Sequence, residues 1–323
     1  MKTLSDYIYY EEPAGVIYCG DCLEILPLIP EGSVDLVVTD PPYGINKDKW
    51  DNPIVTTTVV IPALIKCDNI LSDSGSLWYS HMVYSTTCQI HSKVESKTSL
   101  KHLQFITIDK GMGSVAGRTS ENLRTFPRAT EYLLWYSHED PTGAERLSEE
   151  MAKRNPMAIY LRSEIERSGK SRKEIAALFP SKTGGFTGCV SNWLLGYNFP
   201  LKEQYETIKY YLNGEYLRRE YEELRREYEE LRRPFNLPFG VTDVWKYSFN
   251  DSNSGHPTEK VLGIISRIIA ACSNRPDIIL DPFLGSGTTA VAAKQLGRKF
   301  IGIEISEKYC EIAKQRLAQE ELF

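Results

Sequence analysis

The sequence predicts an α/β fold in which a mixed, mostly parallel β-sheet is interrupted by a helical insert. Short apolar runs bounded by glycine, proline and aspartate alternate with helix-length segments over residues 1–139, and this alternation returns from residue 241. Such alternation is typical of parallel sheets whose strands are connected by helices. Residues 140–233 instead favour helix, and between Met151 and Gly240 basic residues outnumber acidic ones by 16 to 12. We therefore expect one domain from residues 1–139 plus 234–323, and a helical insert over 140–233.

The composition excludes several classes of protein. Of the 323 residues, 41% are hydrophobic and 25% are charged, which is ordinary for a globular chain and excludes wholesale disorder or a fibrous repeat. Neither a membrane-spanning apolar run nor a secretory leader is visible, so no membrane partner is expected. Seven scattered cysteines argue against a disulfide framework and favour a reducing cytoplasm. The formal charge of −5 excludes a generally basic nucleic-acid coat but permits a local basic patch.

Five strands are predicted in the first domain segment. Each is a short run rich in β-branched and aromatic residues that a turn signal bounds. The first two end at acidic residues, because Asp21 follows the first and Asp40 the second. The predicted strands are Val16–Cys19, Val34–Val38, Ser76–Ser80, Leu103–Ile108 and Glu131–Tyr136.

The insert contains two helical features. The seven residues from Glu220 are repeated from Glu227, and their apolar positions predict an amphipathic helix packed on the body of the protein rather than a coiled coil. Upstream, residues 171–212 resemble a helix-turn-helix with Ser191, Asn192 and Trp193 on the second helix. A recognition helix in the DNA major groove is the specific interpretation, and a purely structural insert is the alternative.

The C-terminal segment contains a glycine-rich turn between a strand and a helix. The strand Asp277–Leu280 runs into residues 281–287, a helix spans Thr288–Leu296, and the strand Phe300–Glu304 precedes a final helix that begins near Ser306. A turn of this kind lets the backbone approach a ligand closely. An acid at the end of the following strand commonly holds ribose hydroxyls, so Glu304 favours a nucleoside ligand over a simple tight turn.

Four predicted strands carry an acidic residue just beyond their carboxyl ends, namely Asp21, Asp40, Asp281 and Glu304. Ligands bind at this edge of open α/β sheets. If both ends of the chain join one sheet, they form a single cleft. Asp40-Pro41-Pro42-Tyr43 is the most specific pattern, because the stiff prolines leave carbonyl acceptors beside the carboxylate and Tyr43 offers a flat face for a base.

These residues resemble the amino-methyltransferases of DNA, which methylate adenine N6 or cytosine N4. Asp40-Pro41-Pro42-Tyr43 is similar to their catalytic motif, and Asp281–Thr289 is similar to their S-adenosylmethionine motif. The segment His256–Lys260 is similar to the one that closes over the methionine end of the cofactor, although Val261 stands where the family often has proline. The order of the motifs is that of the permuted β class. The resemblance therefore implies a Rossmann-like sheet with circularly permuted motif order.

The resemblance covers both flanks of the chain, over 16–139 and 236–320, and covers the insert poorly. It implies S-adenosylmethionine as cofactor, double-stranded DNA as substrate and a bacterial or phage origin. A homodimer and a cognate restriction endonuclease are further partners that it suggests. The implied catalytic residues are Asp40, Pro41, Pro42 and Tyr43, and the implied cofactor-binding residues are Asp21, Thr258, Lys260, Asp281, Phe283, Gly285, Gly287, Thr288 and Glu304.

DNA contacts are also expected outside the catalytic motif. Arg118, Arg124 and Arg128 bring positive charge to a loop that suits phosphate contacts, although a solvated loop would look similar. Asn192 and Trp193 are the corresponding candidates in the insert. No metal site is expected, because the Cys19–Cys22 spacing has no second pair.

The resulting hypothesis is base flipping followed by methylation of adenine N6. Aspartate rather than serine at the first motif position favours adenine by resemblance only, so cytosine N4 stays the alternative. Methylation of RNA or of a protein glutamine is a more distant alternative. A DNA-binding regulator with an inactive methyltransferase body is the alternative outside enzymes.

Overall fold

A computed structural model describes residues 2–45, 51–111, 126, 129–138, 149–181, 185, 188–231, 234–236, 240–246 and 257–319. The chain divides into two compact units, one formed by residues 1–138 and 234–323 and the other by residues 139–233. No helix in the described ranges has the length and apolar character that a bilayer crossing requires.

The first unit is built on a sheet to which both ends of the chain contribute. In the described residues its strands are β1 (Ile8–Glu12), β2 (Gly15–Cys19), β3 (Val34–Thr39), β4 (Leu71–His81), β5 (Lys101–Asp109), β6 (Thr130–Ser137), β7 (Val244–Lys246), β8 (Ile278–Asp281) and β9 (Lys299–Glu304). Its helices are α1 (Cys22–Ile25), α2 (Ile61–Ile70) and α3 (Tyr84–Lys97). The second unit contains α4 (Glu149–Arg154), α5 (Pro156–Arg167), α6 (Arg172–Ala176), α7 (Cys189–Leu195), α8 (Lys202–Tyr211) and α9 (Tyr221–Leu231). The chain then returns to the first unit with α10 (Pro257–Cys272), α11 (Thr288–Gln295) and α12 (Glu307–Gln319).

The strand order is β1-β2-β9-β8-β3-β4-β6-β5-β7. The five strands β2, β9, β8, β3 and β4 are mutually parallel, while β1 and β6 run antiparallel to their neighbours. The sheet is therefore mixed and mostly parallel, as predicted. Because parallel strands end on the same side, the carboxyl ends of these five strands form one edge.

Helices cover both faces of the sheet. Val37 faces a core that includes Ile25, Leu64 and Ile90 from α1, α2 and α3. Its neighbour Leu36 belongs to the opposite core, which α10, α11 and α12 complete. Successive residues of one strand are thus buried on opposite faces, which explains why this strand reads as a continuous apolar run.

Strand β4 differs from its prediction at its beginning. The sequence suggested a turn at Asp73–Gly75 before a strand that starts at Ser76. In the structure Val34 pairs with Leu71 and Leu36 pairs with Ser76, so residues 72–75 lie opposite Asp35 alone. The turn residues form a bulge inside a longer strand, which the Ser137 hydroxyl stabilises by donating to the Gly75 carbonyl at 2.9 Å.

The second unit has an apolar core of its own. Leu161, Trp193, Tyr205 and Leu224, from four different helices, are all buried in it. Helix α5 begins at an Asn155 cap that accepts from two backbone amides, and α6 begins at Ser171 with a capping box to Glu174. The predicted amphipathic helix is α9, and its Tyr221, Leu224 and Tyr228 are buried within this unit.

Candidate functional site

The carboxyl edge of the five parallel strands gathers polar side chains from both ends of the chain. Glu304 pairs with Cys19 in the β2–β9 ladder, and the amide of Gly20 donates to the Glu304 carbonyl at 2.9 Å. This bond places Asp21 next to the end of β9. Thr39, which directly precedes Asp40, donates its hydroxyl to Asp281 at 2.7 Å. The N-terminal and C-terminal half-sites therefore meet at one edge, as their sequence patterns predicted.

Glu304 holds the glycine-rich loop while keeping acceptor capacity. Its carboxylate accepts from the Gly285 amide at 2.8 Å and from the Ser306 amide at 2.9 Å, one bond to each oxygen. A carboxylate offers about four acceptor sites, so two remain for hydroxyl donors. Burial raises the pKa of Glu304 above its ordinary value. The amide bonds oppose that shift because they stabilise the ionised form.

The loop from Phe283 to Gly287 requires glycine for two different reasons. Gly287 has φ of +88°, and a Cβ there would lie 2.7 Å from the Ala313 Cβ of α12. Gly285 has φ of +54°, but a Cβ there would meet only the Phe283 carbonyl oxygen at 4.0 Å. Gly287 is thus closely packed against the protein. Gly285 instead adjoins open space in which a ligand can lie against the backbone.

Arg316 of α12 supports this loop from within the protein. Its guanidinium donates to the Ser286 carbonyl at 2.7 Å, to the Ser286 hydroxyl at 3.0 Å and to the Thr288 hydroxyl at 3.1 Å. The side chain is partly buried, and the three bonds fix the turn at the start of α11. Thr288 therefore already has a protein partner at the position where a cofactor contact was predicted.

Asp281 lies beneath the loop. Its side chain is only 4% exposed and accepts from the Thr39 hydroxyl, the Thr289 hydroxyl at 2.6 Å and the Phe283 amide at 3.0 Å. Burial raises the pKa of Asp281 to about 6. Because its oxygens are engaged inside the protein, this geometry favours a role in positioning the loop over the direct cofactor contact that the sequence suggested.

Asp21 occupies a more open place at the same edge. It is exposed, and its carboxylate accepts from the Leu23 amide at 2.8 Å, which caps the short helix α1. One oxygen makes this bond, so the carboxylate retains acceptor sites for an amino group.

The Asp40 carboxylate receives two hydroxyl donors on one oxygen. The Tyr43 hydroxyl donates to Asp40 Oδ1 at 2.5 Å, and the Ser80 hydroxyl donates to the same atom. Tyr43 also lies 3.2 Å from Ser80 Oγ. Burial, followed by the neighbouring Asp40 charge, raises the pKa of Tyr43 well above its ordinary value, so the phenol keeps its proton and acts as a donor. Asp40 itself is exposed at the sheet edge, with Pro41 buried and Pro42 half-buried behind it.

Asp51 and His81 support the turn that follows Asp40. The buried Asp51 carboxylate accepts from the Gly44 amide at 2.6 Å and from the Ile45 amide at 3.3 Å. The ring of His81 lies 4.8 Å from the Tyr43 ring, centroid to centroid. His81 Nδ1 lies 3.0 Å from the Val83 amide nitrogen and 3.2 Å from the Val83 carbonyl oxygen, and burial lowers the pKa of His81, which favours the neutral ring. The other ring nitrogen of His81, Nε2, is buried and has no hydrogen-bond partner among the described residues.

Several predicted site residues fall outside what the structure describes. Arg118, Arg124 and Arg128 lie outside the described residues. Thr258 and Lys260 lie in the first turn of α10, but only their backbone is described. In the described part of the chain, no group of three or more histidine, cysteine or acidic side chains is arranged to hold a metal ion.

The two candidate DNA contacts in the insert differ in the structure. Asn192 is exposed on α7, whereas Trp193 is 3% exposed and packs edge-on against Phe179 at 5.2 Å between ring centroids. The prediction that Trp193 contacts DNA is therefore wrong, because its ring belongs to the core of the second unit. Val190, Trp193 and Leu194 share the buried face of α7 at helical spacing, and that pattern was already readable in the sequence.

Sequence reasoning missed four residues that organise the site: Thr39, Asp51, Ser80 and Arg316. Ser80 could have been found, because it lies at the carboxyl end of a predicted strand just as the four acids do. Thr39 lies one residue before Asp40, but its partner is distant in the sequence. Asp51 and Arg316 had no local signal, since each acts on a loop that the tertiary fold brings to it.

Comparison with known proteins assigns most of the chain to one family. Residues 34–315 match the sequence model of a family described as DNA methylase, which covers N6 and N4 methyltransferases. The match includes the Asp40 turn, the glycine-rich loop, Glu304 and the helical insert.

The sequences of individual relatives match nearly the whole chain. The type II methyltransferase M.BglII from Bacillus subtilis is 28% identical over 310 residues, which are 94% of this chain and 69% of that protein. The DNA adenine methyltransferase YhdJ of Escherichia coli K12 is 24% identical over 328 residues, which are 98% of this chain and 87% of that protein.

Solved structures share the fold at low sequence identity. A DNA modification methylase from Thermus thermophilus, TTHA0409, solved in complex with S-adenosyl-L-methionine, has a TM-score of 0.51 at 19% identity over 94% of this chain and 93% of that one. The cytosine-N4-specific PvuII DNA methyltransferase has a TM-score of 0.53 at 14% identity over 97% and 95% of the two chains. At these identities the likeness supports the fold alone.

Proposed function

The chain belongs to the N6/N4 family of DNA methylases, and we propose that within this family it transfers a methyl group from S-adenosylmethionine to N6 of adenine in double-stranded DNA. The observation that carries the proposal is the hydrogen bond from Thr39 to Asp281. It joins the residue before the Asp40 turn to the last residue of β8, which precedes the glycine-rich loop. A base held at Asp40 and a cofactor held at the loop would therefore lie next to each other.

The residues of the cleft fit S-adenosylmethionine. Glu304 keeps two acceptor sites for the ribose hydroxyls, and Gly285 adjoins space that a side chain would narrow. Asp21 keeps acceptor sites for the amino group of the cofactor adenine. Phe283 and Gly287 are proposed to line the methionine and sugar of the cofactor. Thr258 and Lys260 are proposed to approach its carboxylate. When bound, the cofactor supplies an electrophilic methyl group on a sulfonium centre.

Asp40 is proposed to bind the amino group of the target base. The exocyclic nitrogen is a weak nucleophile because its lone pair is delocalised into the ring. Hydrogen bonds to the Asp40 carboxylate and the Pro41 carbonyl would favour a more tetrahedral nitrogen and stabilise its developing positive charge. As the nitrogen–carbon bond would form, the carbon–sulfur bond would break with its electron pair going to sulfur, which leaves a neutral thioether, and the nitrogen would then release one proton to solvent. The protein therefore acts by positioning and electrostatics, and no covalent link to the chain is required.

The base must leave the duplex for this reaction, because the amino group of a stacked and paired base is inaccessible to the Asp40 turn. Tyr43 is proposed as its stacking partner. The ring of His81, which is neutral and buried, supports Tyr43 from within the protein. Pro41 and Pro42 restrict the turn, so the aromatic face is presented with little loss of conformational entropy.

Adenine is favoured over cytosine by two observations. Asp40 occupies the first position of the catalytic motif, where the resemblance associates aspartate with adenine. The relative named as a DNA adenine methyltransferase matches 98% of this chain. Methylation of cytosine N4 is the outcome that would correct this choice while leaving the family assignment intact.

The second unit is proposed to recognise the target sequence. Its α7 exposes Asn192, and the neighbouring α6 exposes Arg172 and Lys173. An exposed amide with adjacent cations is suited to contacts with base edges and phosphates. Arg118, Arg124 and Arg128 are proposed as further phosphate contacts.

We also propose a bacterial cytoplasmic setting and a role in restriction and modification. Relatives such as M.BglII are named type II methyltransferases. A cognate restriction endonuclease would then cut the same site when it is unmethylated, and a homodimer is the further partner proposed. Analytical ultracentrifugation tests the dimer directly.

The central proposal is tested by incubating the protein with methyl-labelled cofactor and separate pools of DNA, RNA and protein. The DNA is digested to nucleosides and analysed by mass spectrometry, with Asp40→Ala as control. Label in N6-methyldeoxyadenosine that disappears in the control supports the proposal. Label only in N4-methyldeoxycytidine would correct the base, and label only in RNA or protein would overturn the DNA substrate. Cofactor binding without transfer to any pool would favour a regulator.

A further inference from the structure

Ser80 lies directly beside the catalytic turn. In the parallel pairing of β3 with β4, Thr39 is opposite Tyr79, so the next residues along the two strands are Asp40 and Ser80. The Ser80 hydroxyl donates to Asp40 Oδ1. Ser80 is 8% exposed and lies within β4, whereas Asp40 is exposed beyond the end of its strand. A rigid buried donor thus holds an exposed carboxylate.

The hydrogen bonds divide the two oxygens of Asp40 into different roles. Both described donors, Ser80 and Tyr43, act on Oδ1. No described residue donates to Oδ2. Two contacts on one oxygen fix the rotation of the carboxylate and leave the other oxygen as an acceptor for an incoming amino group.

Tyr43 and Ser80 differ in what the reaction would require of them. If Tyr43 stacks on an everted base, its ring must adjust its position to that base. The hydrogen bond from the Tyr43 hydroxyl to Asp40 can then lengthen or break. Ser80 is part of a paired strand and does not contact the base in this scheme. Its hydroxyl can therefore hold Asp40 throughout the reaction.

We propose that Ser80 is a positioning residue for methyl transfer, which holds Asp40 through Oδ1 so that Oδ2 faces the target amino group. The inference rests on the proposed function, but it applies equally to adenine and to cytosine. It predicts a defect in the chemical step rather than in cofactor or DNA binding. A misplaced catalytic group commonly lowers rates by about 10- to 100-fold.

The test compares Ser80→Ala with Ser80→Thr in the full chain, using whichever base the wild-type protein methylates. Single-turnover transfer should fall about 10- to 100-fold in Ser80→Ala. Dissociation constants for S-adenosylmethionine and for a DNA duplex should stay within about twofold. Ser80→Thr should keep most of the wild-type rate because threonine keeps the hydroxyl.

Ser76→Ala is the matched control. Ser76 lies on the same strand, is 1% exposed and accepts from the Trp135 indole at 3.1 Å, away from Asp40. It should lose stability but keep the single-turnover rate. If Ser80→Ala does not fold, Ser80→Cys offers nearly the same volume with a weak donor and should show the same rate loss relative to Ser80→Thr.

Two results would overturn the role of Ser80. One is a Ser80→Ala rate within twofold of wild type, and the other is an equal loss in the folded Ala and Thr variants. Both require a wild-type protein that methylates DNA. A wild-type protein that methylates no DNA would instead overturn the proposed function itself, so the two failures are distinguishable.

Discussion

Thr39 and Asp281 are separated by 242 positions in the sequence, yet the Thr39 hydroxyl donates to the Asp281 carboxylate at 2.7 Å. Each residue adjoins one half of the site, since Asp40 follows Thr39 and the glycine-rich loop follows Asp281. Asp281 also accepts from Thr289 at the start of α11. A single buried carboxylate therefore joins the Asp40 turn, the glycine-rich loop and the helix behind it.

Asp40→Ala should abolish methyl transfer and leave cofactor affinity nearly unchanged. The substitution removes the acceptor proposed for the amino group, while Glu304 and the glycine-rich loop stay in place. Isothermal titration with S-adenosylmethionine and a transfer assay measure the two properties separately. Retention of both would remove Asp40 from the mechanism.

Glu304→Ala should instead weaken cofactor binding. It removes the proposed partner of the ribose hydroxyls and also the acceptor for the Gly285 and Ser306 amides. Charge-assisted hydrogen bonds are worth about 1.5–3 kcal/mol each, so affinity should fall by at least tenfold. Glu307→Ala, an exposed acid three residues further along, is the control and should bind normally. Equal affinities for both variants would contradict the role of Glu304.

Gly287→Ala should destabilise the protein and weaken cofactor binding. The new methyl would require a left-handed backbone at φ of +88° and would lie 2.7 Å from the Ala313 Cβ. Overpacking alone costs about 1–3 kcal/mol. Gly32→Ala is the matched control, because Gly32 has φ of +64° but no atom near the added Cβ. Denaturant unfolding should show a clearly larger loss in the free energy of unfolding for Gly287→Ala than for Gly32→Ala. Equal losses would mean that backbone strain alone, without the contact to Ala313, causes the destabilisation.

Arg316→Ala should lower cofactor affinity although Arg316 is not proposed to touch the cofactor. The variant loses the guanidinium nitrogen that makes three hydrogen bonds to Ser286 and Thr288, so the loop is less restrained before the ligand binds. Lys314→Ala on the same helix removes a cation that pairs with Glu311 at the surface. Cofactor titration of both variants checks the prediction, and unchanged binding by Arg316→Ala would show that cofactor affinity does not depend on the bonds that Arg316 makes to the loop.

The stability of the protein should carry a specific pH dependence from Asp281. Burial raises the pKa of Asp281 from 3.8 to about 6, so the folded state binds this proton more tightly than the unfolded chain does. The free energy of unfolding therefore falls as the pH rises from about 4 to about 6, by up to about 3 kcal/mol from this group. Asp281→Asn does not titrate there and keeps a polar group for Thr289. Urea unfolding of both proteins between about pH 4.5 and 7 should show the wild type losing stability relative to Asp281→Asn, and parallel curves would contradict the shift.

Local sequence patterns predicted the elements of the site well but not the contacts between them. The acids Asp21, Asp40 and Glu304 were proposed as site residues because each lies at or just beyond the end of a recognisable strand, and strands of a parallel sheet end on one side. Ser80 was overlooked because only acids were sought at those ends. Trp193 was misjudged because its place on a helix was considered without its apolar neighbours.

The strand order was beyond a local reading. Strand β7 has three residues at one end of the strand order and β1 lies at the other end, and neither strand was predicted from the sequence. The pairing of β3 with β8 brings together residues whose sequences carry no mutual cue. Loop contacts such as those of Asp51 and Arg316 depend on that pairing and were therefore inaccessible to pattern analysis.

The pairing of β3 with β8 also has a consequence for synthesis of the protein. During translation, the ribosome releases the Asp40 turn well before the strands β8 and β9, which lie more than 230 residues later in the sequence. A nascent chain that lacks them has β3 and β4 but no neighbour on the other side of β3, and Thr39 has no Asp281 to bond. The proposed methylation centre can thus assemble only after β8 and β9 have emerged.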